Sequence, residues 1–185
     1  MISPVSRPDA PADVQTGSPS NTPTDGIAIT VRPAEEQDAQ ALADMANALN
    51  VAHGKSATLY TAELIHGEAF SEDRVCHFLI AEREGHPAGY ALYHWMFNSD
   101  LARRGIWLTD LFVMPGERRH GVGRKLFSAV AAKTVESGMA SLWWGVMSDN
   151  TQARAFFASL GARDEDARIL ELDGQALQAL AAEAK

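Results

Sequence analysis

Cysteine is nearly absent from this sequence of 185 residues, which contains only Cys76. One cysteine cannot form an internal disulfide, so we expect a small core residue rather than a nucleophile. Long apolar runs are also missing, and the N-terminal segment has no basic stretch followed by an apolar one. Since a membrane-spanning helix needs about 20 apolar residues, the sequence predicts a cytoplasmic protein with no membrane partner.

Basic residues are scarce, because 16 Lys and Arg stand against 24 Asp and Glu, giving a formal net charge of -8. A protein that binds nucleic acid through its phosphates needs a basic surface, so no nucleic-acid partner is expected. The six histidines show no metal-ligand spacing, and no metal site is predicted. The acidic surface is compatible with a cationic substrate, although a solvated, solubilising surface explains it more simply.

The prolines divide the chain unevenly, since five of the eight lie within the first 26 residues. Residues 1–26 also lack apolar periodicity, and we predict a disordered tail there. The remainder suits one folded domain at residues 27–173, followed by a short C-terminal helix at 174–185. The sequence shows no internal repeat.

Strand and helix patterns alternate through the domain. Strands are predicted at 27–31, 76–82, 88–95, 106–114, 141–147 and 167–172. Helices are predicted at 35–49, 122–136, 151–160 and 175–182, with a shorter one capped by Thr61 and running through Phe70. Because this order needs both hairpin and crossover connections, it predicts an α/β fold in which helices flank a mixed central sheet.

The segment ERRHGVGRKL, residues 117–126, concentrates glycine and positive charge between a predicted strand and a predicted helix. Gly121 and Gly123 let the backbone approach a ligand, and the helix N-terminus favours an anion such as phosphate or pyrophosphate. Basic side chains surround the glycines: Arg118, Arg119, Arg124 and Lys125. A plain tight turn remains an equal alternative. The Rossmann and Walker A patterns fail, because Leu126 and Leu49 stand where each needs glycine.

In that context, Arg118-x-x-Gly121-x-Gly123 resembles the acyl-CoA pyrophosphate motif of the GNAT acyltransferase superfamily. A second block is similar to the C-terminal signature of the same superfamily, with Asn150, Ala153, Phe156, Phe157, Leu160, Gly161 and Ala162 at the matching positions. Two motifs in the right order are more specific than either alone. The resemblance covers residues 27–172 and is strongest to the diamine and polyamine N-acetyltransferases.

The resemblance implies a GNAT fold with acetyl-CoA in a V-shaped opening between the strands at 106–114 and 141–147. The residues implied in binding it are Leu111, Phe112, Val113, Arg118, Arg119, His120, Gly121, Val122, Gly123, Arg124, Asn150 and Phe156. A backbone N–H near Val113 would stabilise the oxyanion. The implied activity is acetylation of a primary amine on a small polyamine- or lysine-like molecule. A homodimer is implied by the resemblance alone.

Two catalytic positions depart from the family pattern. The Glu-Asp pair of the family reads Thr109-Asp110 here, and its tyrosine, the usual acid, reads Phe157. Because adjacent strand residues point to opposite faces, Asp110 is not expected to replace a side chain at position 109. Asp110 as a backbone-orienting group and Phe157 as a core residue are the structural alternatives.

An active transferase is the leading interpretation, because bulk water can accept the amine proton and a thiolate is a tolerable leaving group near neutral pH. One alternative is a catalytically weak or inactive homologue that binds acetyl-CoA as a sensor. A peptide or protein N-acetyltransferase is the other.

Overall fold

A five-stranded sheet forms the centre of the computed structural model, which describes residues 27–184. The predicted tail at residues 1–26 lies outside the described residues. The strands are β1 (Ile29–Pro33), β2 (His77–Arg83), β3 (His86–Asn98), β4 (Arg103–Val113) and β5 (Leu142–Trp144). Their order across the sheet follows their order in the chain. Strands β1 to β4 pair antiparallel. Strand β5 runs parallel to β4, and such a parallel pair needs a crossover connection between its two strands.

Helices cover both faces of the sheet. They are α1 (Ala39–Ala52), α2 (Ala62–Ala69), α3 (Val122–Glu136), α4 (Thr151–Ala158) and α5 (Gly174–Ala182). Short 3₁₀ turns precede α1 and follow β4. None of these helices is long and apolar enough to span a membrane, in a search of the described residues. The predicted mixed sheet flanked by helices is confirmed.

Two clusters of buried side chains lie on opposite faces of the sheet. On one face, α1 and α2 pack against Phe78, Ile80, Tyr90 and Phe112. On the other face, α3 packs against the alternate residues of the same strands. The buried residues of α3 recur every fourth position, at Val122, Leu126, Val130 and Thr134, and this spacing keeps them on one side of the helix.

The strand predicted at residues 167–172 is wrong, because the chain from 162 to 173 has no regular structure. Ile169 and Leu170 are 68% and 89% exposed. A Cβ on Gly145 would lie 2.5 Å from the Cδ1 of Ile169, so this segment meets the chain after β5 through a side chain and not through strand pairing. The strand predicted at 141–147 is correspondingly short and covers only Leu142–Trp144.

Candidate active site

Strand β4 is paired along both edges for only part of its length. Its residues Ile106, Trp107 and Leu108 pair with Leu142, Trp143 and Trp144 of β5. Beyond Leu108, β4 continues to Val113, and no strand of the described chain lies along its outer edge. Pairing between the two strands therefore ends at Leu108 and Trp144, and we call the open edge of β4 beyond this point the cleft, with its apex at these two residues.

The backbone of β4 offers hydrogen-bond donors to this cleft. The N–H of Met114 donates to the carbonyl of Ala88 on β3 at 2.9 Å. Because successive N–H groups in a strand point to opposite edges, those of Leu111 and Val113 face the open edge. Phe112 instead turns its N–H toward β3, and its ring is buried at 3% exposure. Leu111 and Val113, two of the three β4 residues predicted to bind acetyl-CoA, thus present donors to the open edge. Phe112, the third, packs in the core.

A β-bulge at Thr109 changes which way the side chains of β4 point. Leu108 pairs with Tyr93 and Asp110 with Leu92, so Thr109 is an extra residue without a partner on β3. Its Oγ1 lies 3.3 Å from Nδ1 of His94, and Asp110 accepts a hydrogen bond of 3.2 Å from the hydroxyl of Tyr90.

Tyr90 and His94 are four positions apart on β3, so alternation places both on one face. Thr109 and Asp110 therefore point to that same face. The expectation that they point to opposite faces is wrong, because it assumed a regular strand.

Asp110 is a partly buried carboxylate beside the cleft. Burial raises its pKa, while the hydrogen bond from Tyr90 and the nearby positive charges of His53 and Lys55 act in the opposite direction. The pKa of the Tyr60 phenol is raised by burial and by the charge of Asp110. The carboxylate thus meets titratable groups from the loop between α1 and α2 as well as from the sheet.

Asn47 on α1 fixes that loop in place. Its side chain accepts a hydrogen bond from the N–H of Tyr60 at 3.0 Å and donates one to the carbonyl of the same residue at 2.8 Å. Sequence reasoning did not identify Tyr60, Tyr90 or His94 as site residues. The alternation of β3 was a usable signal for the last two, since it places both on one face, whereas nothing local marks Tyr60.

An open pocket of about 410 Å³ lies on the face covered by α1 and α2, and Asp110 is not among its lining residues. Leu92, the partner of Asp110 on β3, is one of its lining residues. Tyr60, Phe78 of β2 and apolar residues of α2 also line it. Glu68 is the acidic residue among those that line it. Cys76 lies in the wall, where burial raises the pKa of its thiol to about 11, as expected of a structural residue rather than a nucleophile.

The glycine-containing loop brings the N-terminus of α3 to the end of β4. The first backbone hydrogen bond of the helix runs from Lys125 N–H to the carbonyl of Gly121 at 3.0 Å, and no side chain of the described residues caps this end. The N–H groups of Val122, Gly123 and Arg124 are therefore available to an anion. Arg118 ties the loop to the strand, since its Nε donates to the carbonyl of Val113 at 3.2 Å.

Two residues of this loop have left-handed backbone conformations. Gly121 has φ +88°, which suits glycine, and Arg119 has φ +66°, which is uncommon for a residue with a side chain. The side chains of Arg119, His120 and Arg124 are exposed around the helix start. The structure thus brings the predicted residues from 118 to 124 together with Leu111 and Val113 at one end of the cleft.

The predicted residues of α4 have structural partners. The Oδ1 of Asn150 accepts the N–H of Ala153 at 3.0 Å and so caps the helix. Phe157 is 9% exposed and packs in a cluster with Phe127, Trp144 and Phe156, with ring centroids 4.9 to 5.3 Å from its own. The position of the family tyrosine is therefore occupied by a core ring that has no proton to donate, while Phe156 remains partly exposed.

The model of the acetyltransferase (GNAT) family matches residues 42–162, more than half of the chain. This chain belongs to the GNAT family. The match includes β4, the loop before α3 and α4, so the GNAT residues discussed above lie inside it. The predicted family and the predicted class of enzyme, an N-acetyltransferase, are confirmed.

Two relatives of this GNAT protein are named for the amines that they acetylate. Thialysine N-epsilon-acetyltransferase of Sus scrofa is 30% identical over 131 residues, which cover 64% of this chain and 76% of the relative. L-ornithine N5-acetyltransferase NATA1 of Arabidopsis thaliana is 35% identical over 94 residues, 50% of this chain and 41% of the relative. The match thus spans less than half of the Arabidopsis enzyme.

Solved structures share the GNAT fold at lower identity. An integron cassette protein from the mobile metagenome of V. cholerae superposes with a TM-score of 0.71 at 21% identity, covering 84% of this chain and 99% of that one. An aminoglycoside acetyltransferase, meta-AAC0020, from an uncultured soil sample gives a TM-score of 0.67 at 14% identity, covering 79% of this chain and 97% of that one. These likenesses concern the fold.

Proposed function

We propose that this protein transfers the acetyl group of acetyl-CoA to the terminal amine of a small lysine-, ornithine- or polyamine-like molecule. The observation that carries the proposal is the position of the cleft. On one side of it, β4 and the start of α3 offer unpaired N–H groups, and on the other side lie Asp110 and the apolar pocket. An acyl donor and a cationic acceptor can therefore meet at the open edge of β4.

The residues at the open edge fit acetyl-CoA. The N–H groups of Leu111 and Val113 suit the polar groups of the pantetheine arm and the thioester carbonyl. The start of α3, with Gly121 and exposed arginines, suits the pyrophosphate. Acetyl-CoA supplies an acyl group on a thiol leaving group. A preorganised N–H at the carbonyl oxygen stabilises the oxyanion that develops there, an effect worth about 10²–10³ in rate in comparable sites.

The apolar pocket supports an acceptor that has an aliphatic chain between charged groups. Leu92 and Phe78 provide apolar surface for such a chain, and Glu68 is the acidic residue of the lining. Asp110 is placed to attract the reacting ammonium group. The two relatives named for thialysine and ornithine act on molecules of this kind. A homodimer and a cytoplasmic location rest on the sequence and the resemblance alone and stay predictions.

The residue at position 157 favours one alternative, a homologue that binds acetyl-CoA without turning it over. Phe157 is buried among aromatic rings and cannot protonate the departing sulfur. A thiol has an ordinary pKa of about 8.5, so the thiolate leaves readily near neutral pH even without an acid. The absence of this acid therefore weighs less against catalysis than the absence of a base at Thr109.

The decisive experiment measures free-thiol release from acetyl-CoA with and without L-ornithine, thialysine, lysine, putrescine, spermidine or an aminoglycoside. Amine-dependent release, greatest for amines on an aliphatic chain, is expected. Binding of acetyl-CoA by calorimetry without any release would establish the non-catalytic alternative. Failure to bind acetyl-CoA would overturn both.

A matched pair of glycine substitutions tests the anion site. Gly121→Ala forces a side chain into φ +88° and distorts the start of α3, so acetyl-CoA affinity should fall by about tenfold or more. Gly123→Ala places a Cβ 3.5 Å from Cγ2 of Val113, an ordinary contact that the free protein tolerates. The thermal stability of this variant should therefore match that of the parent. A loss of acetyl-CoA affinity would show that the bound ligand needs the space next to position 123. Parental affinity in both folded variants would contradict the assignment.

A further inference from the structure

The position of the family glutamate is occupied by Thr109, whose hydroxyl is a poor proton acceptor near neutral pH. That hydroxyl lies 3.3 Å from Nδ1 of His94 on the neighbouring strand. We propose that His94 is the general base for the acceptor amine and that Thr109 is a positioning residue that orients its imidazole. The inference rests on the proposed function, because it concerns the amine acetylated in the same cleft.

The register of the sheet places His94 at the apex of the cleft. His94 pairs with Trp107 on β4, and Trp107 pairs in turn with Trp143 on β5, one residue before the last pair that joins β4 to β5. His94 is partly exposed, so solvent and substrate can reach its ring. It shares a face of β3 with Tyr90, which holds Asp110, and therefore lies on the acceptor side of the sheet.

The bulge is what allows Thr109 to contact His94. In a regular strand only one of two adjacent side chains would point to this face, and the other would enter the core under α3. Because Thr109 is an extra residue, both side chains point to this face. The hydroxyl of Thr109 contacts His94, and the carboxylate of Asp110 accepts a hydrogen bond from Tyr90. The two groups have separate partners, so each is fixed without the other.

The arrangement defines a proton path. When Nδ1–H of His94 donates to Oγ1 of Thr109, Nε2 has a free lone pair and takes one proton from the acceptor ammonium group, directly or through a bridging water. The neutral amine then forms the C–N bond with the acetyl carbonyl carbon. The C–S bond breaks with its electron pair on sulfur. The second amine proton passes to the thiolate, and His94 returns its proton to solvent.

Several titratable groups lie on the same face of the sheet as this histidine. Asp110 and Tyr90 lie on the sheet, and Cys76 precedes β2. His53 and Lys55 come from the loop after α1 and act on Asp110, and the charge of Asp110 in turn acts on Tyr60 of the same loop. Asp110 is the other group able to accept a proton, and the experiment must separate it from His94.

The test compares His94→Gln with His86→Gln, an exposed histidine at the hairpin between β2 and β3. Both variants should keep the parental melting temperature and acetyl-CoA affinity. His94→Gln should lower kcat by about 10²-fold or more, as loss of a general base does, and should change the pH profile of kcat. His86→Gln should retain the parental kcat and pH profile.

Variants at Thr109 distinguish positioning from mere packing. Thr109→Val keeps the shape of the side chain but removes the hydrogen bond, and kcat should fall by about tenfold without a change in acetyl-CoA affinity. Thr109→Glu in the His94→Gln background returns a carboxylate to the family position and should restore part of the lost kcat.

The outcomes separate the inference from the function on which it rests. Parental kcat and an unchanged pH profile in folded His94→Gln would overturn the inference while leaving the transferase in place. Absence of amine-dependent thiol release from the unsubstituted protein would overturn the proposed function itself. A third outcome is that kcat falls in His94→Gln, that Thr109→Glu does not restore it, and that the pH profile stays as in the parent. This result would assign the base to Asp110 instead.

Discussion

Two aspartates of this protein are withdrawn from solvent in opposite electrostatic settings. Asp38 begins α1 and is 8% exposed, and its two oxygens accept bonds of 2.6 and 2.9 Å from Arg32. It also accepts the N–H of Glu35 at 2.7 Å. Asp110 at the cleft has the hydroxyl of Tyr90, at 3.2 Å, as its one hydrogen-bond partner among the described residues.

The pKa values of the two carboxyls shift in opposite directions as a result. The hydrogen bonds from Arg32 lower the pKa of Asp38 despite its burial. Burial dominates at Asp110 and raises its pKa. A carboxylate whose charge is fully matched within the fold stabilises that fold, whereas one left under-matched beside a cleft is available to a cationic ligand. The difference separates a structural aspartate from a candidate functional one.

The largest expected effect on stability is that of Asp38→Asn. The amide keeps the size of the side chain but cannot match the charge of Arg32. Breaking a buried ion pair costs about 3–5 kcal/mol. Arg32 remains 32% exposed and keeps Glu82 at 2.6 Å, so we expect a smaller loss than for a fully buried pair, about 2–3 kcal/mol. Chemical unfolding at pH 7 measures it.

The pH dependence of this loss has a definite sign. Because the folded-state pKa of Asp38 is lowered, its stabilisation is present above the unfolded pKa of about 3.9 and disappears as pH falls through the folded value. The gap between the parent and Asp38→Asn should therefore close in acid. Asp44→Asn on the exposed side of α1, where Asp44 accepts only from Gln40, is the control and should stay within about 0.5 kcal/mol. An equal loss in that control would refute the contrast.

Removal of the one donor to Asp110 should have the next largest effect. Tyr90 is fully buried, so Tyr90→Phe keeps the packing while removing a hydrogen bond to a charged group. Such a change costs about 1–3 kcal/mol when the acceptor stays buried. The pKa of Asp110 should rise further, since the bond from Tyr90 is among the influences that lower it.

Combination with Asp110→Asn measures how much of that cost belongs to the carboxylate. In the double variant no charged acceptor is left, so the loss from Tyr90→Phe should be smaller than in the parent. Strictly additive losses would show that the hydroxyl and the carboxylate do not interact.

The sequence predicted those features that depend on local pattern. The helix predicted at 122–136 has those bounds in the structure, because its apolar spacing and its flanking glycines are local signals. The bulge at Thr109 depends on how β3 and β4 pair along their whole length, and no local pattern marks it. The contact between His94 and Thr109 follows from that register and was therefore missed. The strand predicted at 167–172 is not formed, because the segment meets the chain after β5 through the side chain of Ile169 and has no strand of the described chain to pair with.

The smallest expected effect, and the one of opposite sign, is that of Asp110→Asn. The folded-state pKa of Asp110 is raised, so the fold favours its neutral form. The stability associated with that form is present below the unfolded pKa of about 3.9 and is lost as pH rises through the folded value. Asparagine has no charge to bury and still accepts from Tyr90, so stability at pH 7 should be unchanged or higher by no more than about 1 kcal/mol.

The gain from Asp110→Asn should vanish near pH 3, where the parental carboxyl is already neutral, while acceptor turnover should fall at pH values where that carboxyl is charged, because the charge facing the amine is lost. A loss of stability at pH 7 comparable to that of Asp38→Asn would mean that Asp110 is a structural aspartate after all. The cleft would then lack a carboxylate that recognises a cationic amine, and Glu68 in the lining of the pocket would be the next candidate for that role.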